Sequence, residues 1–199
     1  MSLSLLSSQT QNVQAMLLKH GHKRVTGFEV RRRPLASPIS KLIDLVTKGK
    51  AKTKLKAQGF DDFYHLWGNI TLDDGTKLMT EKNQTLHIKE AHATDGIKSP
   101  FPVDVSQGKT LKEMFEAAEA NIGKENFYRY DPLDANCQRF ITGLLSSTGM
   151  DNPRTRAWTN QNIREALSAD TGDTWYTSLG KRVTDFASVV SRGLEKIGL

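Results

Sequence analysis

Cys137 is the only cysteine among 199 residues, and its neighbours place it where a thiol ionises readily. Asn136 is a good helix N-cap, and Phe140, Ile141, Leu144 and Leu145 recur behind it at helical spacing, with Gly149 as a stop. That puts Cys137 in the first turn. There the unpaired N–H groups and the positive end of the helix dipole favour thiolate over thiol. A thiolate so placed is a nucleophile, and its own N–H can hold a developing oxyanion. A thiol also needs a base and a third group to hold that base. His65, distant in sequence, is the candidate base, with Asn83 or Glu81 as the orienting group.

These side chains must be positioned by a hairpin. Residues 63–72 are aromatic and β-branched, Asp73-Asp74-Gly75 reads as a turn, and residues 76–88 read as a second strand. Loop length sets the register. A two-residue Asp74-Gly75 turn places Gln84 opposite His65. A three-residue loop with Gly75 in a bulge places Asn83 opposite His65 and Glu81 opposite Trp67, with His87 on the same face. Thr110-Leu111-Lys112-Glu113 is a capping box, and Leu111, Met114, Phe115, Ala118 and Ile122 form the stripe of the helix it opens, ended by Gly123.

The order of these elements resembles the circularly permuted papain-like proteins. These include the lecithin:retinol acyltransferase family, the related small phospholipase/acyltransferases and the viral H-box/NC proteins. Their second motif is a Tyr followed by Asn-Cys-Glu-His-Phe. Tyr130, Asn136, Cys137 and Phe140 match it, while Gln138 and Arg139 depart from it. His65-Leu66-Trp67 matches the first motif loosely. The wider pattern is also similar to uncharacterised viral and metagenomic proteins, through Asp61, His65, Leu66, Glu81, Lys82, Asn83, Tyr130, Asp131, Asn136, Cys137, Gln138 and Phe140. The likeness covers roughly residues 60–150. It implies an α+β, permuted papain-like fold: a small antiparallel sheet packed on a helix that opens with the cysteine, plus peripheral helices. It implies a cysteine-dependent hydrolase or acyltransferase of viral origin, acting on a peptide, an isopeptide or a lipid ester. The alternative is a non-catalytic viral structural or accessory protein that keeps the fold as an interaction module.

Three segments are expected: a basic N-terminal arm with an amphipathic helix (1–59), the papain-like domain (60–150) and a C-terminal helical tail (151–199). Between Lys19 and Lys56 stand twelve Lys or Arg and two acids, a charge of +10, whereas the whole chain carries +6. The remainder is therefore about −4. Within this segment Ser37-Pro38 opens a helix whose face is Ile39, Leu42, Ile43 and Val46, ended by Gly49. Such a helix with basic flanks fits an anionic membrane, and the charge alone fits nucleic-acid phosphates. Docking on the core is the plain alternative. Asp151 to Arg156 reads as a linker and Asn160 to Ala169 as a short helix. Tyr176, Leu179, Val183, Phe186, Val190, Leu194 and Ile197 recur as a long amphipathic tail helix, suited to self-association or to a larger viral assembly.

Composition excludes several classes. One cysteine allows no internal disulfide framework and fits a reducing compartment. No run approaches the length of a membrane span, and the start lacks a signal peptide's charged and apolar regions. The expected location is therefore the cytoplasm of an infected cell, or the virion. No metal-ligand spacing or phosphate-binding glycine loop occurs, so neither metal nor cofactor is expected.

Overall fold

A computed structural model describes residues 3–35, 37–91, 100–105, 108–131 and 134–167. The chain is α+β and divides into two compact units. The first comprises residues 1–33, 65–130 and 134–160; the second comprises 34–64, 131–133 and 161–199. The tail helix expected between Tyr176 and Ile197 lies outside the described residues.

Unit 1 is built on a five-stranded antiparallel sheet of order β4-β3-β2-β1-β5. Its strands are β1 (Val25–Pro34), β2 (Tyr64–Leu72), β3 (Lys77–Lys82), β4 (Leu86–Glu90) and β5 (Phe101–Val103). The segment read as a basic arm thus supplies β1, which pairs Phe28 with Val103. Val25, Phe28 and Val30 are buried, and Phe28 and Val30, two residues apart on one face, outweigh the run of arginines beside them.

The β2–β3 hairpin takes the longer-loop register, with Trp67 opposite Glu81. Gly75 supplies the turn's positive φ of 84°. The expected single strand over 76–88 is instead two strands. Asn83-Gln84-Thr85 form a turn between β3 and β4, closed by the Asn83 N–H donating to the Thr85 carbonyl at 3.0 Å. Asparagine favours such turns over strand interiors.

Three helices carry the core of this unit: α4 (Leu111–Ile122), α5 (Lys124–Tyr128) and α6 (Cys137–Ser147). The Thr110 capping box forms in full, and the expected α4 stripe is buried. Phe115, Phe127 and Phe140, one from each helix, meet with ring centroids 5.6–6.3 Å apart. Burying such rings contributes about 1.5–3 kcal/mol each. The cluster therefore fixes where α6 begins. At Gly143 an added Cβ would lie 2.2 Å from Ile122 Cδ1, so glycine lets α6 approach α4 closely. The expected linker at 151–156 is instead the start of α7 (Pro153–Thr159), because Asn152 caps it and Pro153 suits its first position. The N-terminal residues form α1 (Leu3–His20), which packs on β4.

Unit 2 holds α2 (Ser37–Thr47), α3 (Lys50–Ala57) and α8 (Ile163–Leu167). Its interior includes Leu55, Phe60, Phe63 and Ala166. Gln161 clips it together, accepting from the Tyr64 N–H at 2.8 Å and donating to the Asp62 carbonyl at 2.6 Å. Ile43 of the amphipathic helix is buried, whereas Leu45 is exposed. No helix among the described residues is long and apolar enough to cross a membrane.

Candidate active site

Asn136 is extended, and its side-chain oxygen accepts from the N–H groups of Gln138 and Arg139 at 3.0 and 3.1 Å. The cap takes these two donors and not the N–H of Cys137, which stands at the first helical position. Cys137 is a free, buried thiol. The His65 ring and the main-chain N–H groups of Leu66 and Gln138 all act on its sulfur to favour the thiolate. Burial pushes the thiol's pKa up, but the His65 charge and these donors outweigh it and the net shift is downward.

His65 is the second residue of β2 and is 8 % exposed. Its Nε2 lies 3.0 Å from Glu81 Oε2. With Nε2 held by the carboxylate, Nδ1 is the nitrogen available to the thiol. Burial works against the charged ring. The negative charge of Cys137, its hydrogen bond and the Glu81 contact prevail, and the pKa is raised to about 9. Glu81 shows the converse. Burial pushes it up, but the His65 contact and the charges of Arg33 and Lys89 hold its pKa down at about 2. The arrangement therefore shifts the balance toward a thiolate–imidazolium–carboxylate chain.

The residues singled out by sequence separate here. Cys137, His65 and Glu81 come together, all in unit 1. Asn83 lies in the β3–β4 turn, so the group meeting the ring is Glu81. His87 pairs across from Glu81 but is engaged by the Thr85 hydroxyl. Trp67, read as a core residue, stacks beside His65 with a centroid separation of 6.3 Å and carries the Arg33 guanidinium on its ring. It is 5 % exposed and walls the His65–Glu81 contact from solvent.

Sequence reasoning gave Lys82 no role. Its signal is its parity: it shares a strand face with Leu78 and Thr80, and all three are at most 1 % exposed. Among the described residues no group of His, Cys, Asp and Glu could hold a metal ion. No protein-family model, curated protein or solved structure matches this chain.

Proposed function

We propose that this protein is a cysteine-dependent hydrolase or acyltransferase, with Cys137 as nucleophile, His65 as acid–base and Glu81 as the group that orients and charges His65. The observation that carries the reading is the buried His65 ring held between the Cys137 sulfur and the Glu81 carboxylate. Strand histidine, next-strand carboxylate and helix-opening cysteine occur in the order of the permuted papain-like proteins, which supports that architecture.

The chemistry follows from the geometry. The thiolate attacks a carbonyl carbon, forming a C–S bond and an oxyanion that the Cys137 N–H stabilises. His65, already protonated, gives its proton to the departing nitrogen or oxygen as the C–N or C–O bond breaks. A thioester remains. Water or a second nucleophile then attacks it, His65 takes the incoming proton, and the thiolate leaves. Glu81 keeps the ring oriented and favours its charged form throughout. Peptide amides, isopeptides and lipid esters all present the required carbonyl.

Iodoacetamide alkylation across pH tests this reading. The Cys137 rate should titrate well below the ordinary thiol value of about 8.5, and His65→Ala should slow it at neutral pH. A profile centred on the ordinary value and indifferent to His65→Ala would falsify the pairing. A second reading, a non-catalytic viral structural or accessory module, is favoured by the closed site, where Cys137 is 7 % exposed. Under that reading the native thiol resists alkylation and reacts only after unfolding.

A further inference from the structure

Phe28 is the one Phe, Tyr or Trp between Lys19 and Lys56, and it is buried, so the basic segment carries no exposed aromatic ring of its own. The fold of unit 1 supplies two from elsewhere. The Arg32 guanidinium of β1 lies 4.3 Å from the ring centre of Trp158 in α7, and its Nη1 donates to the Trp158 carbonyl at 3.1 Å. Phe101 of β5 leans on Trp158, with ring centroids 5.2 Å apart and 31° between the planes. The Arg154 guanidinium, from the first turn of α7, lies 5.2 Å from the Phe101 ring centre. Arg32, Trp158, Phe101 and Arg154 thus form one row beside β5, the three-residue strand at the edge of the sheet.

The two ends of the row differ. Arg32 is half-buried, and its bond to the Trp158 carbonyl fastens α7 to β1. Arg154 is exposed. Asp151, the acid nearest to it in sequence, is taken by Arg156 at 2.7 Å. Among the described residues no carboxylate pairs with Arg154. Cation–π attraction holds its guanidinium over the ring, while its N–H donors stay available to an anion.

We infer that this row is a binding surface for single-stranded nucleic acid, on which Arg154 meets a phosphate with its N–H donors and a base with its outer face. Guanidinium planes and aromatic rings are the groups on which unpaired bases stack, and arginine adds the charge that the backbone needs. The rings behind Arg154 hold it in place, so less side-chain freedom is lost on binding. A duplex keeps its bases stacked on one another and offers the row only phosphates. An acidic peptide offers charge but no base to stack. The single strand is the polyanion that uses both properties of the row.

Fluorescence anisotropy on the full chain at low salt tests this, with a labelled single-stranded oligonucleotide of mixed sequence and the duplex of the same sequence as probes. The single strand should bind about fivefold or more tightly than the duplex. Arg154→Gln should weaken single-strand binding about fivefold or more and duplex binding less. Arg154→Lys keeps the charge but loses the planar face. It should keep the slope of log affinity against log salt and still lose the preference for the single strand. Arg154 is exposed, so both variants should retain the unfolding midpoint and the alkylation rate of Cys137. Equal affinity of the full chain for the two probes overturns the inference, as does a preference that survives in either variant. Displacement of the strand by polyglutamate as readily as by unlabelled strand overturns it in favour of an acidic protein partner. No binding of either probe at low salt overturns it outright.

Discussion

Among its described residues, unit 1 contains two histidine–glutamate contacts of opposite character. His65 and Glu81 meet at 3.0 Å with side chains only 10 % and 14 % exposed. His20, at the end of α1, stands 3.5 Å from Glu90, whose side chain is 52 % exposed. The same Glu90 oxygen accepts from Lys19 at 2.6 Å, and Lys19 is the main reason that its pKa is lowered. The buried histidine in that pair leaves Nε2 without a hydrogen-bond partner. The residue types are identical, so the types do not decide what the pair does. A carboxylate in water shares its charge with whatever cation is nearest. A carboxylate walled off by Trp67 concentrates its charge on one ring, which passes the effect to the thiol.

The largest expected difference is in thiol reactivity. Glu81→Gln should slow iodoacetamide alkylation of Cys137 at pH 7 about tenfold or more, equivalent to a shift of one unit or more in the sulfur–imidazole equilibrium. Glu90→Gln should leave the rate unchanged. Equal effects from the two substitutions would erase the distinction between the sites.

Stability should separate them next. Removing Glu81 from its buried partner costs about 3 kcal/mol, read from chemical denaturation, while Glu90→Gln leaves the unfolding midpoint where it is. The pH dependence has a definite sign. Glu81 lies at about 2 in the fold against 4.5 unperturbed, so its contribution is whole above 4.5 and is lost as pH falls toward 2. His65 lies at about 9 against 6.5, so its contribution is whole below 6.5 and is lost as pH rises through about 9. The Cys137 thiol is lowered from 9.0, so its contribution grows as pH rises toward 9.0 and works against the loss at His65. Stability should decline as pH falls below 4.5 toward 2, the interval set by Glu81. Glu81→Gln should flatten that decline, and Glu90→Gln should not.

A smaller effect sits at the cap. Asn136→Ala removes the acceptor for two N–H groups and should cost about 1 kcal/mol, with a modest loss of thiol reactivity as the first turn loosens.

The contrast also shows what a sequence can and cannot display. Asn136, the capping box at Thr110 and the α4 stripe are local signals, and each is legible because its partners lie within four residues. The β2–β3 register was one of two alternatives until the fold selected the Gly75 loop, and with it Glu81. The β3–β4 turn was hidden because Thr76 to Ile88 contains no glycine or proline to mark a break. Lys82 was illegible for a different reason. A lysine in a strand ordinarily signals solvent, and only the sheet and the α5 and α6 helices around it make that position an interior one. The shielding of Glu81 but not Glu90 is likewise a tertiary fact, set by Trp67 across the strand pair.

The smallest expected effect tests exposed charge where no burial amplifies it. The expected anionic partner of the basic segment was either a bilayer or nucleic acid. Ile43, on the apolar face of α2, is buried, so that side chain is not available to enter a bilayer. Lys48 and Lys56, at the two ends of the α3 region, are exposed. Charges in that position contribute little to folding but remain open to phosphates. The expected outcome is weak, sequence-independent binding of nucleic acid that fades as salt rises, with no flotation on anionic vesicles. Each lysine that contacts a phosphate should contribute about 0.9 to the slope of log affinity against log salt. Lys48→Gln with Lys56→Gln should therefore reduce that slope by up to about 2 while leaving the unfolding midpoint and the alkylation rate of Cys137 unaltered. Fluorescence anisotropy with a labelled oligonucleotide at a series of salt concentrations measures it. An unchanged slope would remove these two lysines from any phosphate contact.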